Sequence, residues 1–274
     1  MSRFSRQRLL GWGVFLILSA AIVWTYRQFA GKVPRFDYLT GWALLFVILL
    51  LTIYNGRKKI PFLPMFSSEA WLQFHIYAGL LTGVLFLVHV RYRVPSGWFN
   101  VILAWLYALV MGSGFFGLFI SRGIPKRLRT RGGEVLFERI PSIRLQLQEQ
   151  TQKLALQSVG ESKSATIADF YSRELGGFFQ RIGNVPEHLM EMHSPLNRIL
   201  ARISEVSRYL NSEEQVTMEE ITKLVRQKDT LDYHYAHQLL MKTWLFVHIP
   251  LTYSLLMFTG AHMVIVFAYS GGAQ

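Results

Sequence analysis

The sequence predicts an all-α membrane protein: a five-helix transmembrane bundle with a mainly helical cytoplasmic insertion between helices 4 and 5. Three observations carry this reading. The 274 residues are 51% hydrophobic and only 17% charged, where a soluble domain carries about 25% charged residues. Five apolar stretches recur, at Leu9–Tyr26, Phe36–Tyr54, Trp71–Val90, Gly97–Ile120 and Thr243–Tyr269, each near the roughly 20 residues that cross a hydrocarbon core. Trp24, Tyr26, Tyr38, Trp42, Tyr54, Trp71, Trp98, Trp244 and Tyr269 gather at their ends, as rings with an apolar body and a polar tip do at a membrane interface.

The first stretch follows Arg3, Arg6 and Arg8, a basic flank that secretory signals share. Its length, its aromatic content and the lack of a small-residue cleavage site favour a retained helix. The second carries Asp37 at its edge, the only acidic residue in the five stretches. Orientation follows from the basic residues of the short loops. With the N-terminus inside, the inner segments hold Arg3, Arg6, Arg8, Arg57, Lys58, Lys59, Arg122, Lys126, Arg127, Arg129 and Arg131; the outer loops hold Arg27, Lys32, Arg35, Arg91 and Arg93. The excess inside puts the N-terminus and the insertion in the cytoplasm and the C-terminus outside. The expected location is a bacterial inner (cytoplasmic) membrane, with membrane lipid as a partner.

Three regions follow: 1–122 with helices 1–4, the insertion 123–242, and 243–274 with helix 5 and a short tail. Within the insertion, Ser194-Pro195 predicts a helix start, with Ser194 as cap and proline at the first helical position. Thr217–Glu220 reads as a capping box. Ile199, Ile203, Val206 and Leu210 keep helical spacing. Glu134–Ile140, after Gly132-Gly133, reads as a short strand. The net charge is +12. Residues 122–242 hold 18 Lys/Arg against 15 Asp/Glu, and the rest of the chain 11 against 2. The excess therefore flanks apolar segments, which suits anionic lipid and not nucleic acid.

There is no cysteine, which excludes thiolate-held clusters and thioether-attached haem. A redox cofactor would need His, Met or Tyr. Four of the eight histidines lie in apolar stretches, as the pairs His75/His89 and His248/His262, each 14 residues apart. Fourteen steps of about 100° make four turns less about 40°, so both members share a face, and the rise is about 21 Å. His75 and His248 lie at one depth, about one turn inside the cytoplasmic ends of their parallel helices; His89 and His262 lie at the other. Two facing imidazoles at one depth can hold a planar iron macrocycle, so the pattern predicts two haem b groups (iron), an inner layer on His75/His248 and an outer layer on His89/His262. Iron closed on both faces passes electrons and has no position for a substrate.

Gly79 and Gly83, between the ligands of the third helix, would clear space for a porphyrin; they also form a small-xxx-small packing motif. Arg91 and Arg93 follow His89, and Arg57, Lys58, Lys59 and Lys242 lie near the inner layer. Each is a candidate partner of haem propionates, and each also suits topology and lipid headgroups. Pro250 suits a helix kink. His188, His193, His234 and His237 read as surface histidines of the insertion; His234 and His237 share a helical face, a weak metal signal. The rival functions are a metal-ion or proton transporter, disfavoured by the scarcity of acidic residues in the helices, and a haem-free scaffold for a soluble partner.

At its four histidines the chain resembles the di-haem b-type membrane cytochromes. The cytochrome b subunits of quinol–cytochrome c reductases are similar in their two paired-His helices of this spacing, in mid-helix glycines matching Gly79 and Gly83, and in a basic residue after the second His, matching Arg91. The ferric reductase and NADPH oxidase membrane domain looks similar in helix order, with two helices before the first pair and one between. The resemblance spans the helical segments, about half the chain. It implies a cytochrome b subunit of a larger membrane redox complex of the respiratory-chain type. Expected partners are iron–sulfur, flavin or cytochrome c subunits, and quinone. Unlike most ferric reductases, the sequence has no Gly-rich dinucleotide fingerprint, and the quinol-reductase cytochromes lack so large an insertion here.

Overall fold

A computed structural model describes residues 3–56, 68–131, 135–162 and 164–270. All regular structure among them is helical. The helices are α1 (Arg3–Phe29), α2 (Phe36–Gly56), α3 (Ser68–His89), α4 (Trp98–Thr130), α5 (Ile140–Ser162), α6 (Thr166–Phe170), α7 (Gly176–Gln180), α8 (Val185–Leu189), α9 (Ser194–Ser207) and α10 (Ser212–Ser270). A 3₁₀ turn at Phe137–Arg139 precedes α5, and a π-turn at Tyr171–Leu175 joins α6 to α7.

The chain divides into two compact units, Met1–Leu118 with Trp244–Gln274, and Phe119–Thr243. Both α4 and α10 contribute to each. Five helices, α1 to α4 and α10, contain segments long and apolar enough to cross a membrane. In the first unit large apolar side chains such as Ile17, Trp105 and Met257 face outward. Such surface is unfavourable in water and suits lipid, so the chain is compatible with a helical membrane protein. In this unit α3 packs closely against α1 and α2, whereas α3 and α10 are not among the closely packed helix pairs.

The second unit has its own core, centred on Ile140, Leu175, Phe179, Ile221 and Val225. Helix α9 begins at Ser194, but the cap position is His193 and carries no side-chain cap bond, so Ser194 is not the expected cap; Pro195 sits in the first turn, where a missing N–H is harmless. Ile203 and Leu210 are buried, with Ile199 and Val206 packed against the same core. Two further local expectations are corrected. The strand expected over Glu134–Ile140 is not formed: Val135 and Leu136 have no regular structure, and the chain turns helical from the 3₁₀ turn at Phe137 into α5; Glu134 lies outside the described residues. Pro141 in the first turn favours helix, and a lone strand would leave its backbone groups unpaired. The capping box is not at Thr217–Glu220, which lies inside α10. It is formed by Asn211 and Glu214: Glu214 N–H donates to Asn211 Oδ1 at 2.9 Å, and Asn211 N–H to Glu214 Oε2 at 3.0 Å.

Candidate functional site: two histidine pairs

Helices α3 and α10 bring the four apolar-segment histidines together as two cross-helix pairs in the first unit. His89 ends α3, and its ring centroid lies 6.4 Å from that of His262 on α10, with the planes at 86°. The rings of His75 and His248 lie within electrostatic reach of one another.

The first turns of α2 fix the His89 ring. Its Nδ1 lies 3.2 Å from the Asp37 carbonyl and 3.3 Å from Thr40 Oγ1. The Thr40 hydroxyl itself donates to the Asp37 carbonyl at 3.0 Å. A carbonyl has no proton to give, so Nδ1 is the donor and Nε2 carries the lone pair. Gly41 makes room for this: a Cβ there would stand 3.0 Å from His89 Cε1.

His248 is fixed from α4. Its Nδ1 lies 2.7 Å from Ser113 Oγ, whose hydroxyl donates to the Val110 carbonyl at 2.8 Å. Ser113 therefore accepts from His248, and again Nε2 keeps the lone pair. Trp244 stacks on the His248 ring at 5.5 Å and donates Nε1–H to the Ser113 carbonyl at 2.8 Å. Gly117 lets the indole lie against α4, since a Cβ there would fall 1.8 Å from Trp244 Cζ2.

These arrangements fit metal ligation. A histidine ligand ordinarily donates its other ring N–H to a fixed acceptor, which sets tautomer and orientation. Two imidazoles sharing one metal through Nε2, with bonds of about 2 Å, place their centroids roughly 6 Å apart in line and roughly 5 Å apart in a tetrahedron. The 6.4 Å of the His89/His262 pair suits the in-line case. That distance also suits an edge-on ring contact; the Nδ1–H bond of His89 leaves its Nε2 lone pair available to a metal. Among the described residues, no group of three His, Cys, Asp or Glu side chains converges as a protein-only metal site.

His89 and His262 line a cavity of about 380 Å³, within the range of cofactor pockets. Gly41, Leu44, Tyr107, Leu255 and Thr259 form part of its wall, and Asp37 and Arg91 also border it. Between the two pairs the interior is packed. Thr82 and Leu255, each seven residues from both histidines of its helix, are buried, and the Tyr107 hydroxyl donates to Thr82 Oγ1 at 3.1 Å. Tyr107 stacks on Phe86 at 4.1 Å.

The glycines separate. A Cβ on Gly79 would meet nothing within 4 Å, whereas one on Gly83 would press Met111 Cε at 3.2 Å. Gly79 leaves open space, and Gly83 serves the approach of α4. Arg91 is held by Asp37 in a bidentate pair, Nε to Oδ1 at 2.8 Å and Nη2 to Oδ2 at 2.5 Å. Arg93 is exposed and forms no ion pair among the described residues. Lys242 pairs with Glu138 at 2.7 Å within the second unit. Arg57, Lys58 and Lys59 lie outside the described residues.

The insertion histidines are a correction. His193 is exposed, but His188, His234 and His237 are buried among Lys228, Asp229, Asp232 and Tyr233. Burial is the main cause that holds all three imidazoles below their ordinary pKa. The sequence signal was present, as titratable residues repeating at helical spacing from 228 to 237, but it reads equally as a solvated face.

In comparisons with known proteins, the chain matches no family model, no curated protein and no solved structure.

Proposed function

We propose that the chain is a five-span membrane cytochrome that carries electrons between two bis-histidine b-type haems, as the cytochrome b subunit of a larger redox complex. His75 and His248 hold the inner haem and His89 and His262 the outer. The observation that carries this reading is the His89/His262 pair: a 6.4 Å centroid separation beside a cavity of about 380 Å³, with His89 Nδ1 tied to Asp37. When bound, haem supplies one-electron chemistry at an iron tuned by its ligands. The residues of the chain orient and insulate. Asp37 and Ser113 fix the ligand tautomers, and Thr82, Phe86 and Tyr107 exclude water between the layers. Gly79 gives clearance, Arg93 supplies positive charge beside the outer layer, and Arg91 is held neutralised there by Asp37.

The basic-residue bias of the short loops supports an N-terminus and a 123–242 insertion on the cytoplasmic side of a bacterial inner membrane. Quinone and iron–sulfur, flavin or cytochrome c subunits are the partner classes such a wire would serve. A transporter would need acidic partners for its histidines, and Asp37, the carboxylate beside His89, is paired with Arg91.

The test is a reduced-minus-oxidised spectrum of the purified chain with haem quantified. We expect b-type bands and about two haems per chain, with His89→Ala and His262→Ala each removing one. A haem-free chain overturns the proposal.

A further inference from the structure

The second unit holds another convergence of polar side chains. Arg127 and Arg131 stand one turn apart near the end of α4, Tyr233 and His237 one turn apart on α10, and Glu191 just beyond α8. All meet at the Glu191 carboxylate. The Tyr233 hydroxyl donates to Glu191 Oε1 at 2.8 Å, and Arg127 Nη1 lies 3.2 Å from the same oxygen. His237 Nε2 is 3.9 Å from Oε1, and Arg131 Nη2 is 3.9 Å from Oε2. Arg131 also lies over the Tyr233 ring at 4.2 Å and touches His193.

The carboxylate is a poor match for this setting. Two donors close on Oε1, while Arg131 stops short of hydrogen-bond distance from Oε2. His237 donates Nδ1–H to the Tyr233 carbonyl at 3.0 Å, so its neutral ring presents Nε2 as an acceptor. That nitrogen is buried, without a hydrogen-bond partner among the described residues, and faces an ionised acid. Two acceptors thus oppose each other. The backbone is strained as well. Glu191 has φ 59°. It sits where Met192 N–H returns to the Glu187 carbonyl and Glu191 N–H to the His188 carbonyl, a helix-ending turn that favours glycine.

We propose that these residues form a binding site for a phosphomonoester group, and that Glu191 is the internal carboxylate which holds the site closed against it. A tetrahedral phosphoryl group has enough oxygens to satisfy both arginines and Tyr233. Its singly protonated form, accessible because the second ionisation lies near pH 6, also has what a carboxylate lacks: an O–H that can donate to His237 Nε2. A phosphodiester has no such proton. The site is reachable, since the Arg127 and Glu191 side chains are 49% and 39% exposed, and Glu191 can rotate into solvent without unwinding a helix. The group can belong to a soluble phosphate or to a lipid of the phosphatidic acid type.

The test uses the full chain in detergent, titrated with inorganic phosphate by calorimetry and by methyl NMR of Met190 and Met192, which flank Glu191. We expect saturable shifts of both methyls in the wild type, binding at least tenfold tighter in Glu191→Gln, and at least tenfold weaker when Arg127→Gln is added. Phosphatidic acid in mixed micelles that displaces phosphate assigns the ligand to lipid; failure to displace assigns it to a soluble phosphate; both support the site. Equal displacement by phosphatidylglycerol, a diester, overturns it. So does a helical Glu191→Gln that binds no tighter than wild type. If that variant loses its helicity, the wild-type methyls decide: unmoved by phosphate, they overturn the proposal.

Discussion

His89 donates its Nδ1–H to the backbone carbonyl of Asp37, 3.2 Å away, while the Asp37 side chain grips Arg91 through two hydrogen bonds. One residue therefore orients the His89 imidazole with its main chain and neutralises a cation with its side chain, and substitution can separate the two roles. Asp37→Asn keeps the carbonyl and releases the Arg91 charge. On the proposed di-haem reading the outer haem should remain bound, with its midpoint potential raised by on the order of tens of millivolts, because an unpaired cation nearby favours the reduced iron and solvent screens much of the effect. Potentiometric titration of the two b-type components should show the inner one unmoved.

Ser113 does for His248 what the Asp37 carbonyl does for His89. Ser113→Ala removes the acceptor of Nδ1–H, and loss of such an outer partner ordinarily costs about 10–100-fold in metal affinity. We expect haem content to fall by about one per chain after mild chelating competition, with the outer component retained. Ser113→Thr keeps the hydroxyl and should keep both haems.

Two glycines give a matched contrast. Gly117→Ala drives a methyl into the Trp244 indole that stacks on His248. A rigid ring cannot yield, and such overpacking costs about 1–3 kcal/mol. The haem-free chain should melt lower. Gly79→Ala adds a methyl to open space, so the haem-free chain should melt as before or slightly higher through better helix propensity, while haem uptake falls. Thermal melts of haem-free and loaded protein separate the two outcomes.

The histidine pairs were legible because 14 residues is close to a whole number of helical turns, a periodicity that survives any detail of packing. Which atoms hold the rings was not. Asp37 acts through its backbone and Ser113 is one of many hydroxyls, so neither leaves a pattern in sequence. The second unit was read less well for a related reason. The short helices α6 to α8 are too brief to show periodicity. A run such as Lys228, Asp229, Asp232, His234 and His237 looks like a wetted face unless the partners that bury it, here α8 and the 181–184 loop, are known. The capping box shows the same ambiguity. Both Asn211-x-x-Glu214 and Thr217-x-x-Glu220 fit the motif, and burial of Leu210 in the core fixes the start at the former.

Acidification should loosen the second unit. His188, His234 and His237 have folded-state pKa values below the ordinary 6.5, chiefly through burial. The unfolded chain then binds more protons just below pH 6.5, so the stability these residues contribute is present above that value and is lost as pH falls toward their folded values. Asp229 and Asp232, raised by burial from 3.8, act with the opposite sign, in a window that opens at 3.8 and runs up to their raised values. Hydrogen exchange corrected for intrinsic rate should show protection across 185–237 decreasing as pH falls below 6.5.

The buried pair in the same region sets the last expectation. Lys228 and Asp232 are one turn apart on α10, with side chains 0% and 1% exposed and Nζ 2.5 Å from Oδ2. Lys228 also donates to the Arg181 carbonyl at 2.8 Å and lies over the Phe178 ring, and the Gly183 N–H donates to Asp232 at 3.3 Å. Lys228→Met strands a buried carboxylate, which typically costs about 3–5 kcal/mol. Replacing both, as Lys228→Met with Asp232→Leu, often restores or exceeds the original stability of such a pair. Here it should fall short, because the Arg181 carbonyl and the Gly183 N–H would each lose a buried partner at about 1–3 kcal/mol. Denaturant unfolding of the two variants should rank wild type first, the double variant second and Lys228→Met last. A double variant equal to wild type would mean that the 181–183 loop finds its hydrogen bonds elsewhere.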